Sequence, residues 1–75
     1  MELDHFTITP LYVQLKQNIQ EAINQGIYKQ GQKLPNEMKL GEIFGVSRIT
    51  VRRAIQELVD EELLVRRQGK GTFVI

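Results

Sequence analysis

Apolar positions along the chain fall into three helical stripes followed by two short β-rich runs. Leu11, Leu15, Ile19, Ala22 and Ile23 recur at steps of three and four, one buried helix face, with Tyr12 beside it. Thr9-Pro10 reads as the start of this helix, Thr9 as N-cap and Pro10 as the first helical residue. Gln25-Gly26 reads as its end, because glycine accepts left-handed backbone after a helix cheaply. Gly31 and Pro35 frame a loop in which Lys33-Leu34 suits a very short strand. Asn36 then caps a second helix with Leu40, Ile43 and Phe44 inward, stopped by Gly45. Only Val46 separates that stop from Ser47, the cap of a third helix whose stripe is Val51, Ala54, Ile55, Leu58 and Val59. Val46 is placed to pack on Val51 as a hydrophobic staple. Two helices joined by so tight a glycine-containing turn make a helix-turn-helix. Asp60-Glu61-Glu62 closes the third helix, although acids there oppose the helix dipole. Leu64-Val65-Arg66-Arg67 and Thr72-Phe73-Val74-Ile75 then flank a turn at Gln68-Gly69-Lys70-Gly71, a β-hairpin. The expected fold is mainly α with a small β-hairpin, a winged helix-turn-helix over residues 10–75 preceded by an extended or mobile arm at residues 1–9.

Length and composition narrow the chemistry. Seventy-five residues make one small domain with little room for both a core and a ligand cavity. The absence of cysteine removes disulfides, thiolate chemistry and cysteine-based zinc sites. No apolar run approaches the ~20 residues of a membrane span and no signal-peptide pattern opens the chain, so a cytoplasmic location without membrane attachment is expected. Net charge is only +1, but residues 1–46 balance to −1 and residues 47–75 to +2. Five of the six bases in the second stretch are arginine, the residue suited to bidentate phosphate and base contacts.

On a wheel of about 100° per residue, with Val51, Ile55 and Leu58 inward, Ile49, Arg53 and Gln56 point outward, flanked by Thr50, Arg52 and Glu57. Arginine pairs with guanine, glutamine with adenine, and an aliphatic group meets the thymine methyl in the major groove. Ile49 is equally readable as a lone surface hydrophobe. Arg48, Arg52 and Arg53 are also readable as a solvated face paired with Glu57. Arg48 in the first helical turn sits against the dipole unless an anion such as phosphate compensates it. The turn at Gln68, Gly69, Lys70 and Gly71 is the second candidate site, where two glycines allow close backbone approach and Lys70 supplies charge for phosphates or the minor groove. Read alone it is an ordinary tight turn. His5, the single histidine, lies in the arm away from any Ser or Asp constellation, and no phosphate-cradling loop or paired carboxylate occurs, so neither an enzyme nor a cofactor is expected.

The residues Pro10-Leu11-Tyr12-Val13-Gln14-Leu15, Leu34-Pro35-Asn36-Glu37, Gly45-Val46-Ser47-Arg48-Ile49-Thr50-Val51-Arg52 and Gly69-Lys70-Gly71-Thr72-Phe73-Val74 closely resemble the GntR family of bacterial regulators. The pattern is most similar to the HutC-type branch. The resemblance implies a winged helix-turn-helix that binds a double-stranded DNA operator as a homodimer, usually as a repressor. A C-terminal domain that binds a small-molecule effector is expected to be absent, since the chain stops at Ile75 directly after the wing. The resemblance places Glu37 near the DNA, assigns phosphate or base contacts to Ser47, Arg48, Thr50 and Arg52, and puts Gln68, Gly69 and Lys70 in the minor groove. It leaves Ile49 and Arg53 at variable outward positions. Two departures stand out: Asn36 where Ser is usual, and Glu62 where Gly often ends the third helix. The competing reading is a winged-helix module for protein–protein contact, with Ile49 and the arginines as its interface.

Overall fold

The computed structural model describes residues 3–75; the first two residues of the expected arm lie outside it. Three helices and a hairpin follow in order: α1 (Leu11–Asn24), α2 (Glu37–Phe44), α3 (Arg48–Asp60), β1 (Leu64–Arg67) and β2 (Gly71–Val74). The apolar stripes read from the sequence face a common core. Leu15 and Ile19 of α1, Leu40 and Phe44 of α2, and Val51, Ala54, Ile55 and Leu58 of α3 are buried with Leu34, Leu64 and Val74. α3 is the central element, packing on α1, α2 and β1. Its outer face is thereby left free at the surface.

Local chemistry sets each boundary. Asn36 accepts a hydrogen bond from the Lys39 backbone N–H at 2.8 Å, and Ser47 accepts one from that of Thr50 at 3.2 Å. Gly45, at φ 68°, ends α2 in left-handed backbone. Mid-helix Gly41 lies so close to the turn that an added Cβ would stand 3.0 Å from the Val46 carbonyl oxygen. Together these two glycines let α2 and α3 join through so short a turn.

The end of α3 keeps the geometry of a glycine without having one. The Glu62 N–H donates to the Val59 carbonyl at 3.0 Å and the Leu63 N–H to that of Leu58 at 2.9 Å. That pair of bonds is a Schellman ending, and it places Glu62 at φ 62°. The acids there are matched by α1. Lys16 forms ion pairs with Glu57 and Glu61, Gln20 donates to Glu61 at 3.3 Å, and Gln56 to Asp60 at 2.9 Å. The acidic end of α3 is therefore the counterpart of a lysine on α1.

β1 and β2 pair antiparallel from Leu64↔Val74 to Arg67↔Gly71. The expected short strand at Lys33-Leu34 is a bridge from Lys33 to Phe73, extended by bonds from the Leu34 N–H to Thr72 O and the Gly31 N–H to Val74 O, both 2.8 Å. It lays the segment before α2 along the open edge of β2 and ties the wing to the helical core. The second strand begins at Gly71, which pairs with Arg67, and ends at Val74 rather than Ile75.

Two expectations at the N-terminus are corrected. Thr9 does not cap α1: Pro10 holds the cap position with ψ 146°, so the helix begins at Leu11 and no side chain caps it. Residues 3–9, expected to belong to an extended or mobile arm, are not extended but form a folded bend. Gln14 grips it, accepting from the Asp4 N–H at 2.8 Å and donating to the Asp4 and Thr9 carbonyls, each at 2.8 Å. That grip leaves Leu3 buried at 7% exposure in the core.

Candidate nucleic-acid interface

Two of the arginines expected to meet DNA, Arg48 and Arg52, gather around one carboxylate. Glu37, the first residue of α2, is 21% exposed and receives three guanidinium groups. Arg48 Nε stands 3.7 Å and Arg52 Nε 3.5 Å from its Oε1, and Arg66 Nη1 of β1 lies 3.6 Å from its Oε2. A single acid therefore links α2, the first half of α3 and the wing. The arginines remain 38–64% exposed, so their remaining donors face solvent. Three cations around one anion leave a surplus of positive charge, the electrostatics a polyanion requires.

Ser47 and Thr50 share a hydroxyl–hydroxyl hydrogen bond of 2.9 Å at the N-terminus of α3. The first turn of that helix therefore presents two hydroxyls beside Arg48. Ile49 is 80% exposed on the same turn, which agrees with the outward direction expected of it.

Arg53 and Gln56 are outward as expected, but both are engaged. Arg53 lies over the Tyr12 ring at 3.9 Å from its centroid and donates to the Tyr12 hydroxyl at 3.2 Å. Its Nε is also 3.9 Å from Glu57 Oε2. Gln56 is occupied by Asp60. The expected pairing of the arginine face with Glu57 thus holds for Arg53, whereas Arg48 and Arg52 pair with Glu37 on another helix.

The wing turn runs through Gln68, Gly69 and Lys70, closed by a 2.9 Å bond from the Lys70 N–H to the Arg67 carbonyl. All three residues are exposed, and Gly69 has φ 75°, a conformation that only glycine adopts without strain. A groove of about 600 Å³ separates this turn from α2 and is walled by Glu37, Arg48, Arg66, Arg67 and Lys70. Arg66 and Tyr12 belong to the site without being among the residues expected there. Arg66 was detectable in principle, because strand alternation from buried Leu64 puts residue 66 on the helix-facing side. Tyr12 carried no such signal, since its neighbour Arg53 is 41 residues away. Among the described residues no group of acids and histidines is arranged to hold a metal ion, and no helix is long and apolar enough to cross a membrane.

Comparison with known proteins gives this geometry a context. The family model for bacterial regulatory proteins of the gntR family matches residues 11–74. The HTH-type transcriptional regulator YurK of Bacillus subtilis is 54% identical over 72 residues, covering 96% of this chain and 30% of the relative. The histidine utilization repressor of Klebsiella aerogenes is 49% identical over 65 residues, 87% of this chain and 27% of the relative. The chain thus spans under a third of the length of the curated relatives it matches. Among solved structures, AraR(DBD) in complex with operator ORX1 superposes with a TM-score of 0.93 at 43% identity, covering 100% of this chain and 95% of that one. The fold is the winged helix-turn-helix of these regulators. Matched along nearly its whole length, the chain belongs to the GntR family of bacterial regulatory proteins.

Proposed function

We propose that residues 10–75 form a domain that reads an operator in double-stranded DNA, with α3 in the major groove and the turn at residues 68–70 in the minor groove. The observation that carries the reading is the shared carboxylate of Glu37, which holds Arg48, Arg52 and Arg66 in one exposed set beside the wing. Arg52 and Arg48 are the base- and phosphate-reading groups at the start of α3, with Ser47 and Thr50 on the adjoining phosphate. Ile49 offers its methyls to thymine. Arg53, braced on Tyr12, and Gln56 lie at the far edge of the same face. Gln68, Gly69, Lys70 and Gly71 make the minor-groove contact. A solved structure of the same fold, 43% identical and in complex with an operator, supports the DNA reading, and no observation favours a protein-binding module instead.

For the whole regulator we propose a homodimeric cytoplasmic repressor released by a small-molecule effector that binds outside residues 10–75. Relatives described as repressors, and far longer than this chain, support that reading.

Fluorescence anisotropy of a labelled duplex tests the DNA reading. Neutralised phosphates release counterions, so log K should fall linearly with log salt by about 0.9 per phosphate contacted. An absence of binding at low salt would refute it.

A further inference from the structure

The side chains of Lys33, Arg67 and Phe73 have no part in the DNA contacts proposed above. Along the two-stranded wing, Lys33 bridges to Phe73 and Arg67 pairs with Gly71. Because side chains alternate along strands, Lys33, Arg67, Gly71 and Phe73 share one face, opposite buried Leu64 and Val74. Arg67 confirms the placement, its guanidinium standing 5.4 Å from the centre of the Phe73 ring. Lys33 crosses the strand diagonally: a Cβ added to Gly71 would stand 2.7 Å from its Cε, 3.5 Å from its Cδ and 3.6 Å from its Cγ. The missing side chain of Gly71 is the space through which the Lys33 stem passes toward the groove, whose wall it joins with Arg67 and Lys70.

The charge of this face differs from that of the Glu37 set. Among the described residues, no carboxylate lies within 4.0 Å of Lys33, Arg67 or Lys70, whereas Arg48, Arg52 and Arg66 share one. Three exposed cations without a carboxylate partner give this edge a positive potential that attracts an anion. We propose that Lys33, routed over Gly71, forms with Arg67 and Lys70 a row that binds the DNA phosphates flanking the minor groove. This places a DNA contact on the segment before α2, outside both the helix-turn-helix and the hairpin. It rests on the DNA reading above.

The test is anisotropy titration of a duplex by wild type, Lys33→Met and Lys33→Arg at several salt concentrations, with Tm recorded for each. Methionine keeps the apolar stem over Gly71 and removes the charge; arginine keeps both. Lys33→Met should lose affinity equally for operator and random duplex, and its salt slope should be about 1 smaller than that of wild type. A fourfold rise in salt would then weaken it about 3.5-fold less than wild type. Lys33→Arg should restore the wild-type slope. A Lys33→Met protein of native Tm with a wild-type slope would overturn the proposal while leaving the DNA reading intact. A wild type that binds no DNA would overturn both.

Discussion

Replacing Glu37 by glutamine keeps the shape of the side chain and removes the charge that links α2, α3 and β1. An isolated exposed ion pair is worth about 0.2–1 kcal/mol, much of its Coulomb gain being offset by ordering two long side chains. Here one carboxylate, only 21% exposed, serves three arginines at 3.5–3.7 Å, so its ordering cost arises once. Glu37 also stands in the first turn of α2, where a negative charge adds about 0.3–1 kcal/mol. Together these terms make Glu37→Gln less stable by about 1–2 kcal/mol at low salt. For a domain of this size that is a Tm lower by roughly 5–15 °C. The loss should shrink as salt is raised, because exposed pairs are screened within about 10 Å at 0.1 M. Thermal unfolding by circular dichroism reads the first effect. Anisotropy reads a second: freed arginines should still bind phosphate, so affinity for random duplex should hold or rise while preference for the operator falls. Undiminished operator preference, or a Tm loss indifferent to salt, would refute the idea that Glu37 positions the three arginines.

Other outcomes follow from single contacts. Glu62→Gly relieves a left-handed backbone that costs an L-residue about 1–2 kcal/mol, and the greater freedom of glycine in the unfolded chain returns about half of that. A Tm higher by roughly 3–6 °C is expected in calorimetry, and an unchanged or lower Tm would contradict the assigned strain. The Lys16 ammonium is held above its ordinary value of 10.5, chiefly by its hydrogen bond to Glu61 and secondarily by Glu57, against the opposing effect of desolvation. A raised lysine pKa contributes stability that is complete below the unfolded-state value and vanishes as pH climbs through the folded one. Lys16→Gln should therefore melt below wild type at pH 7, with the gap closing above about 10.5; a gap constant with pH would exclude the ion pair as its cause. Arg52→Ala should weaken operator binding by about 1–3 kcal/mol and relax choice at one base pair, measured by titrating single-position operator variants; unchanged affinity would remove Arg52 from the reading set.

The stripes and caps made most of this fold legible. Leu15, Ile19, Val51, Ala54, Ile55 and Leu58 are buried as their periodicity required, and Asn36, Gly45 and Ser47 mark the boundaries expected of them. Where the reading failed, the missing information was non-local. Thr9-Pro10 satisfies the local rule for a helix start, but Gln14 takes the Thr9 carbonyl and Pro10 stays extended. Acids at the end of α3 look wrong until Lys16 arrives from α1. The candidate site divides the same way. The helix wheel exposes Ile49 and Arg53, yet it says nothing of partners. Only the packing of α1 on α3 reveals that Arg53 is braced by Tyr12, and only the closing of the wing on α2 brings Arg66 to Glu37.

The most direct test of DNA reading by α3 and the wing is an NMR titration of the labelled domain with a short operator-like duplex at low salt. Shifts concentrated at residues 47–53 and 66–72, spreading into Glu37 and Lys33, are the predicted result. Shifts confined to α1, or none at all while the domain stays folded, would contradict the account.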